Sequence, residues 1–177
     1  MENQNHSVTK NAMNYGLYMG LALVLNSVVF YVLGKPFSNF SAYLSYAIII
    51  GGLSLALWSF REFLGEQGLT YGRSLGFGTL ISLFASLIVA FYTFVLFRIV
   101  DPGLIDKLLI FMEENLIKAG TAENQVDTMI NLYKKVLSPL IYSIGQIFSL
   151  TILGFIFSLI LSIFFRKQPS NPFQGIE

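Results

Sequence analysis

The chain has no cysteine, one histidine, one tryptophan and five prolines in 177 residues, and only 12% of those residues are charged. The missing cysteine excludes disulfides, thiolate metal sites and a cysteine nucleophile together. The scarcity of charge excludes an ordinary soluble domain, which carries roughly twice this fraction because a compact fold must present a solvated face. Eleven Lys plus Arg against ten Asp plus Glu leave a formal net charge of +1. That balance points to no nucleic acid. What the chain has instead is apolar surface, at 54% hydrophobic and 15% aromatic residues.

The charges that exist leave four long gaps. Lys10 and Lys35 enclose 24 uncharged residues, Lys35 and Arg61 enclose 25, Arg73 and Arg98 enclose 24, and Lys135 and Arg166 enclose 30. A helix rises about 1.5 Å per residue and a bilayer core is about 30 Å thick, so each gap holds one spanning helix. The expected architecture is all-α, a four-helix transmembrane bundle with spans near residues 12–33, 43–60, 75–97 and 140–165. A buried soluble helix would show a polar stripe at a 3.6-residue period, whereas Ile81 to Phe97 is apolar or small on every side. The flanks, residues 1–11 and 166–177, read as polar tails, and the first span lacks the layout of a cleaved signal peptide.

Four spans place both ends of the chain on one side of the membrane. Lys10, Arg61, Arg73, Arg166 and Lys167 fall on that side; Lys35, Arg98, Lys107, Lys118, Lys134 and Lys135 fall on the other. The basic pair Arg166-Lys167 directly after the last span favours cytoplasmic termini.

Between the third and fourth spans the chain changes character, with six of its ten acids between Arg98 and Pro139. Asp101-Pro102 reads as an N-cap with proline at the first helical position, Gly120-Thr121 as a C-terminal glycine followed by a fresh cap, and Ser138-Pro139 as the restart into the fourth span. Residues 101–138 therefore form an extramembrane helical hairpin. One apolar stripe runs through Ile105, Leu108, Leu109, Met112 and Leu116, the other through Val126, Met129, Ile130, Tyr133 and Leu137. The favoured reading packs the apolar faces on each other and on the ends of the spans; the rival puts Leu104, Ile110, Phe111 and Ile117, which fall outside the first stripe, on the membrane surface or against a partner.

Spanning helices gain little from burying apolar groups in lipid, so they pack where small residues let backbones approach. The third span offers Gly78, Ser82, Ser86 and Ala90, the fourth Gly154, Ser158 and Ser162, and the second Ser45, Gly52 and Ser59. Enlarging Ser86 or Ser158 is expected to destabilise the bundle. Tyr15-Gly16 with Gly20 recurs as Tyr71-Gly72 with Gly76, a YGxxxG pair suggesting two parallel hairpins, and all four glycines are expected to be helix-packing positions. Asn26 and Gln146 are the only amides well inside spans, and each must find a hydrogen bond.

Catalytic groups are hard to find. His6 stands alone in a polar tail, and Glu113 and Glu114 are adjacent and so diverge on a helix. Glu62 and Glu66 share a helical face beside Arg61, which suits charge pairing at a turn, with acid-base work or a divalent ion as the rival. Arg98 and Asp101 are placed to pair at the end of the third span. No span carries a charge and none has an interior proline, which argues against the usual build of a transporter. No catalytic, cofactor or metal site is expected, and the chain is not read as an enzyme.

The run Asn11-Ala12 to Tyr15-Gly16 and Gly20, then Leu69-Thr70-Tyr71-Gly72, Val100-Asp101-Pro102, Ser138-Pro139, and Gly154 ahead of Arg166-Lys167, resembles the membrane family catalogued as domain of unknown function 4199. The resemblance covers nearly the whole chain and implies a small four-helix protein of the bacterial cytoplasmic (inner) membrane, chiefly of Bacteroidota. It also implies an accessory role beside a membrane glycosyltransferase system, and supplies no catalytic residues. The favoured reading is an integral membrane scaffold or accessory subunit, partnered by the lipid bilayer and by another membrane protein or further copies of itself. The alternative is a small transporter or pore working as an oligomer, with Asn26, Gln146 and the serines lining its path. An enzyme acting on lipid-linked substrate through Glu62 and Glu66 is the third.

Overall fold

A computed structural model describes residues 2–65 and 68–166, with side chains from Val8 onward. His6, Glu66 and Lys167 lie outside the described residues and side chains. The described chain is helical: α1 Glu2–Val32, α2 Asn39–Leu64, α3 Tyr71–Val95, α4 Leu104–Lys118, α5 Glu123–Val136 and α6 Pro139–Phe165. The segments Val8–Val32, Asn39–Leu64, Tyr71–Val100 and Pro139–Phe165 are each long and apolar enough to span a bilayer.

α3 is the axis of the bundle. It packs along α1 on one side and α6 on the other, while α2 touches all three more lightly. α1 and α3 start on the same membrane side and run parallel; α6 runs antiparallel to α3. The α1 glycines make the first contact close: a Cβ on Gly16 would lie 2.6 Å from Phe84 Cβ and 2.9 Å from Ile81 O, and one on Gly20 would lie 3.0 Å from Ile88 Cδ1. The α3–α6 contact is a reciprocal seam. A Cβ on Gly78 would collide with Ser158, and one on Gly154 would collide with Ser82. One turn further each way, Ser86 Oγ lies 3.3 Å from Thr151 Oγ1, and Ser74 falls opposite Ser162, both buried. A Cβ on Gly52 would lie 3.2 Å from Met19 Cγ, so the missing side chain seats α2 on α1.

Gly72 and Gly76 take no part in this. A Cβ at either would meet nothing within 4 Å, so the second copy of YGxxxG presents its glycines outward. The tyrosines of the two copies remain alike. Tyr15 Oη donates to Ser59 Oγ at 2.6 Å, and Tyr71 Oη reaches Leu159 O at 3.4 Å, each tying its helix to an antiparallel neighbour. Removing the shorter bond in Tyr15→Phe is expected to cost roughly 0.5 to 1.5 kcal/mol in a detergent melt. An unchanged melting temperature would mean that lipid or water replaces Ser59 at no cost.

The core below the midplane is filled by Leu53, Leu57, Phe77 and Ile81, with Phe60 stacked on Phe77 at 3.9 Å between ring centroids. A second, smaller cluster of Leu96, Phe97, Leu104 and Leu108 sits at the opposite end. It joins α4 to the bundle. α3 ends in a π-helical turn, Leu96–Val100, in which Asp101 N–H donates to Leu96 O at 2.8 Å. That wider turn, which the sequence pattern did not indicate, aims the consecutive residues Leu96 and Phe97 both inward.

Local punctuation shifts in two places. The N-cap of α4 is Gly103 rather than Asp101, and Asp101 pairs with Lys107 at 3.0 Å instead of Arg98. The short Asp-Pro-Gly turn has to absorb the π-helical exit first, so α4 starts two residues late. α5 is capped at Ala122, one residue past Thr121, after Gly120 adopts φ +79°. Ser138 caps α6 by accepting from Ile141 N–H at 3.3 Å, with Pro139 at the first helical position.

Candidate functional site

Asn26 lies six residues before the end of α1 and Gln146 seven residues after the start of α6. Both are thus about 9 to 10 Å below the helix ends on the side that carries α4 and α5. They line one cleft of about 380 Å³ between α1, α2, α3 and α6, within the roughly 300 to 1,000 Å³ usual for small-molecule sites.

α1 and α2 contribute the best-defined polar geometry. Asn26 is 7% exposed, and its Nδ2 donates toward Ser45 Oγ at 2.9 Å, Ser41 O at 3.2 Å and Ser41 Oγ at 3.3 Å. Because a backbone carbonyl can only accept, the Ser41 contact fixes which end of the amide is nitrogen. The other end, Asn26 Oδ1, is buried and accepts no hydrogen bond from the protein. This amide also clamps the α1–α2 hairpin at one end, as Tyr15 and Ser59 do at the other. Across the cleft, Gln146 lies one turn after Tyr142 on the same helix, and both line the wall. Ser27, Thr93 and Ser149 add hydroxyls, and no lining residue is charged.

The walls differ in their seals. Toward the aqueous side an aromatic stack closes the cleft: Phe37 against Phe97 at 6.3 Å, Phe37 against Phe111 at 5.8 Å and Phe97 against Tyr142 at 5.0 Å. Leu104 of α4, fully buried, completes this roof. Toward the opposite side Ile49, Val89 and Leu153 form the floor. The exposed lining residues are Ala42 and Tyr46 on α2 and Ser149 on α6. The mouth therefore opens sideways between α2 and α6.

Other expected site residues stay apart from this cleft. Glu62 is exposed beside Arg61 and Trp58 in a shallow depression at the far end of α2. Among the described residues no three His, Asp, Glu or Cys side chains come together as a metal site. In the hairpin, Leu104 is buried and Phe111 packs on Phe37, as packing on the span ends requires and against the rival surface placement of these two; Ile110 and Ile117 are exposed. α5 buries only Val126 and Ile130 of its stripe, leaving Met129 and Tyr133 partly exposed. The transporter alternative puts Asn26, Gln146 and the serines on one path through an oligomer; that Ser41 and Ser45 join them in a cleft within one protomer was not legible in the chain, since it depends on how α1, α2 and α6 are arranged around α3.

Four apolar spanning helices joined by an extramembrane helical hairpin define a multi-pass integral membrane protein. The model of the family described as Protein of unknown function (DUF4199) matches residues 14–167, and the chain belongs to that family. No curated protein and no solved structure matches it.

Proposed function

We propose that the protein is a membrane scaffold or accessory subunit that recognises another membrane protein through the outer faces of α4 and α5. The observation that carries this is an imbalance in the hairpin. α4 spends Leu104, Leu108 and Leu109 on internal packing, yet Ile110 and Ile117 on α4 and Met129, Leu132 and Val136 on α5 remain exposed outside the spanning segments. Positions 129, 132 and 136 recur at helical spacing and form one face. An apolar face on a solvated hairpin is costly unless something covers it. The cytoplasmic membrane, with both ends of the chain in the cytoplasm and the hairpin on the opposite side, is the setting that the Arg166-Lys167 ending supports.

The transporter alternative has the polar cleft in its favour. Within one protomer the floor of that cleft rests on the filled core of Leu53, Leu57, Phe77 and Ile81, so a path across the membrane would have to form between protomers.

The test is a pull-down from native membranes with wild-type chain and with Met129→Lys, Leu132→Lys and Val136→Lys combined. The triple variant should melt like wild type and lose at least nine-tenths of any stoichiometric partner. Equal retrieval by both would move recognition away from α5. Reporter fusions check the topology: one near Gly120 should report the side opposite to fusions at the two chain ends, and agreement among all three would refute the four-span arrangement.

A further inference from the structure

We infer that the cleft between α2 and α6 is a lateral binding site for one uncharged, hydroxyl-bearing glycerolipid, such as a diacylglycerol, whose free hydroxyl donates to Asn26 Oδ1. The reasoning starts from that oxygen. It is a strong acceptor, buried, fixed in orientation by the three contacts of its own Nδ2, and without a donor from the protein. A carbonyl left so in an apolar setting is costly; it is covered from the cleft, and a ligand O–H that reaches it by a small shift of the wall relieves that cost.

The remaining walls narrow the chemistry. No lysine, arginine, aspartate or glutamate lines the cleft, and its two amides, Asn26 and Gln146, lie about 9 to 10 Å below the helix ends. A phosphate or an ammonium brought to that depth would be desolvated without a counter-charge. A quinone head has no donor for Asn26. A free hydroxyl meets the need, and the amide of Gln146 and the hydroxyls of Thr93 and Ser149 supply donors for the ester carbonyls beside it. Size agrees as well. At roughly 30 Å³ for each water-sized group, about 380 Å³ holds a glycerol head and the first carbons of its chains. The rest of each chain leaves through the mouth beside Tyr46 and Ser149 into the bilayer, while the Phe37, Phe97 and Tyr142 stack shuts out water from above.

The experiment uses the full chain reconstituted in phosphatidylcholine vesicles doped with a diacylglycerol carrying a diazirine near the ester end of one chain. After irradiation, adducts should concentrate on cleft residues of α2 and α6. Excess dioleoylglycerol should compete them away, whereas dioleoylphosphatidate at the same mole fraction should not. Asn26→Leu should abolish the labelling, but it also removes the α1–α2 clamp. Ser149→Phe is therefore the deciding variant: it blocks the mouth from an exposed position, should melt like wild type, and should cut cleft labelling at least tenfold. Equal competition by phosphatidate would overturn the assignment of an uncharged head. Wild-type labelling of Ser149→Phe, or adducts spread evenly over lipid-facing residues such as Phe148 and Phe164, would mean that the cleft holds only water. No partner protein enters the readout, so the result does not depend on the role of the hairpin.

Discussion

Leucine at Gly78 or Gly154 is expected to be the most damaging single change in the membrane bundle. Each glycine faces a serine of the other helix so closely that even a methyl group collides, with Ser158 in one case and Ser82 in the other. Both serines are fully buried and have no room to retreat. Overpacking commonly costs 1 to 3 kcal/mol. A whole leucine at a site that rejects a Cβ belongs at about 3 kcal/mol or above, or roughly 6 to 12 °C in melting temperature for a chain of this size. The matched control is Gly76→Leu, on the same helix but with nothing within 4 Å of its Cβ, which should change the melt by no more than about 0.5 kcal/mol. Comparable losses at Gly76 and Gly78 would show that the outward face of α3 is also packed, against a second copy of the chain. Ser86→Leu and Ser158→Leu should fall with the glycine variants, since both positions lie on the same seam.

Leu104→Ala is expected to loosen the end of the bundle that carries the hairpin, at about 2 to 5 kcal/mol for a fully buried leucine. Leu104 belongs to the cluster with Leu96, Phe97 and Leu108, against which Phe37 and Tyr142 also pack. Truncating it opens the roof of the cleft as well as a cavity. Leu132→Ala in α5, where the side chain is 60% exposed, should be nearly silent in the same melt. This contrast divides the hairpin into a structural half and a free half. Replacing residues 102–137 by a short Gly/Ser linker should still give four inserted helices, because each span satisfies its own backbone hydrogen bonds. It should nevertheless lower the melting temperature by at least as much as Leu104→Ala. A linker variant as stable as wild type would show that α4 is an appendage and that its buried leucines do not support the bundle.

The sequence alone determined the number of spans, their approximate limits and the existence of the hairpin. Those features are written locally: a charge in the bilayer core is prohibitive, so the uncharged gaps mark the helices, and Gly120, Ser138 and Pro139 punctuate the chain through their own backbone preferences. What the small residues would meet was not local. Gly16 and Gly20 and their repeat Gly72 and Gly76 carry the same motif, yet the first pair receives α3 against its backbone and the second faces outward, because α3 is used on both flanks by α1 and α6 and has only so many sides. Leu104 shows the same limit. It stands outside the helical stripe that its sequence displays, but α4 lies between α5 and the bundle and buries more than one face. Only the tertiary structure could bring Asn26, the serines of α2 and Gln146 around one cleft, since residues more than a hundred positions apart meet there through the packing of whole helices and not through any preference of their own.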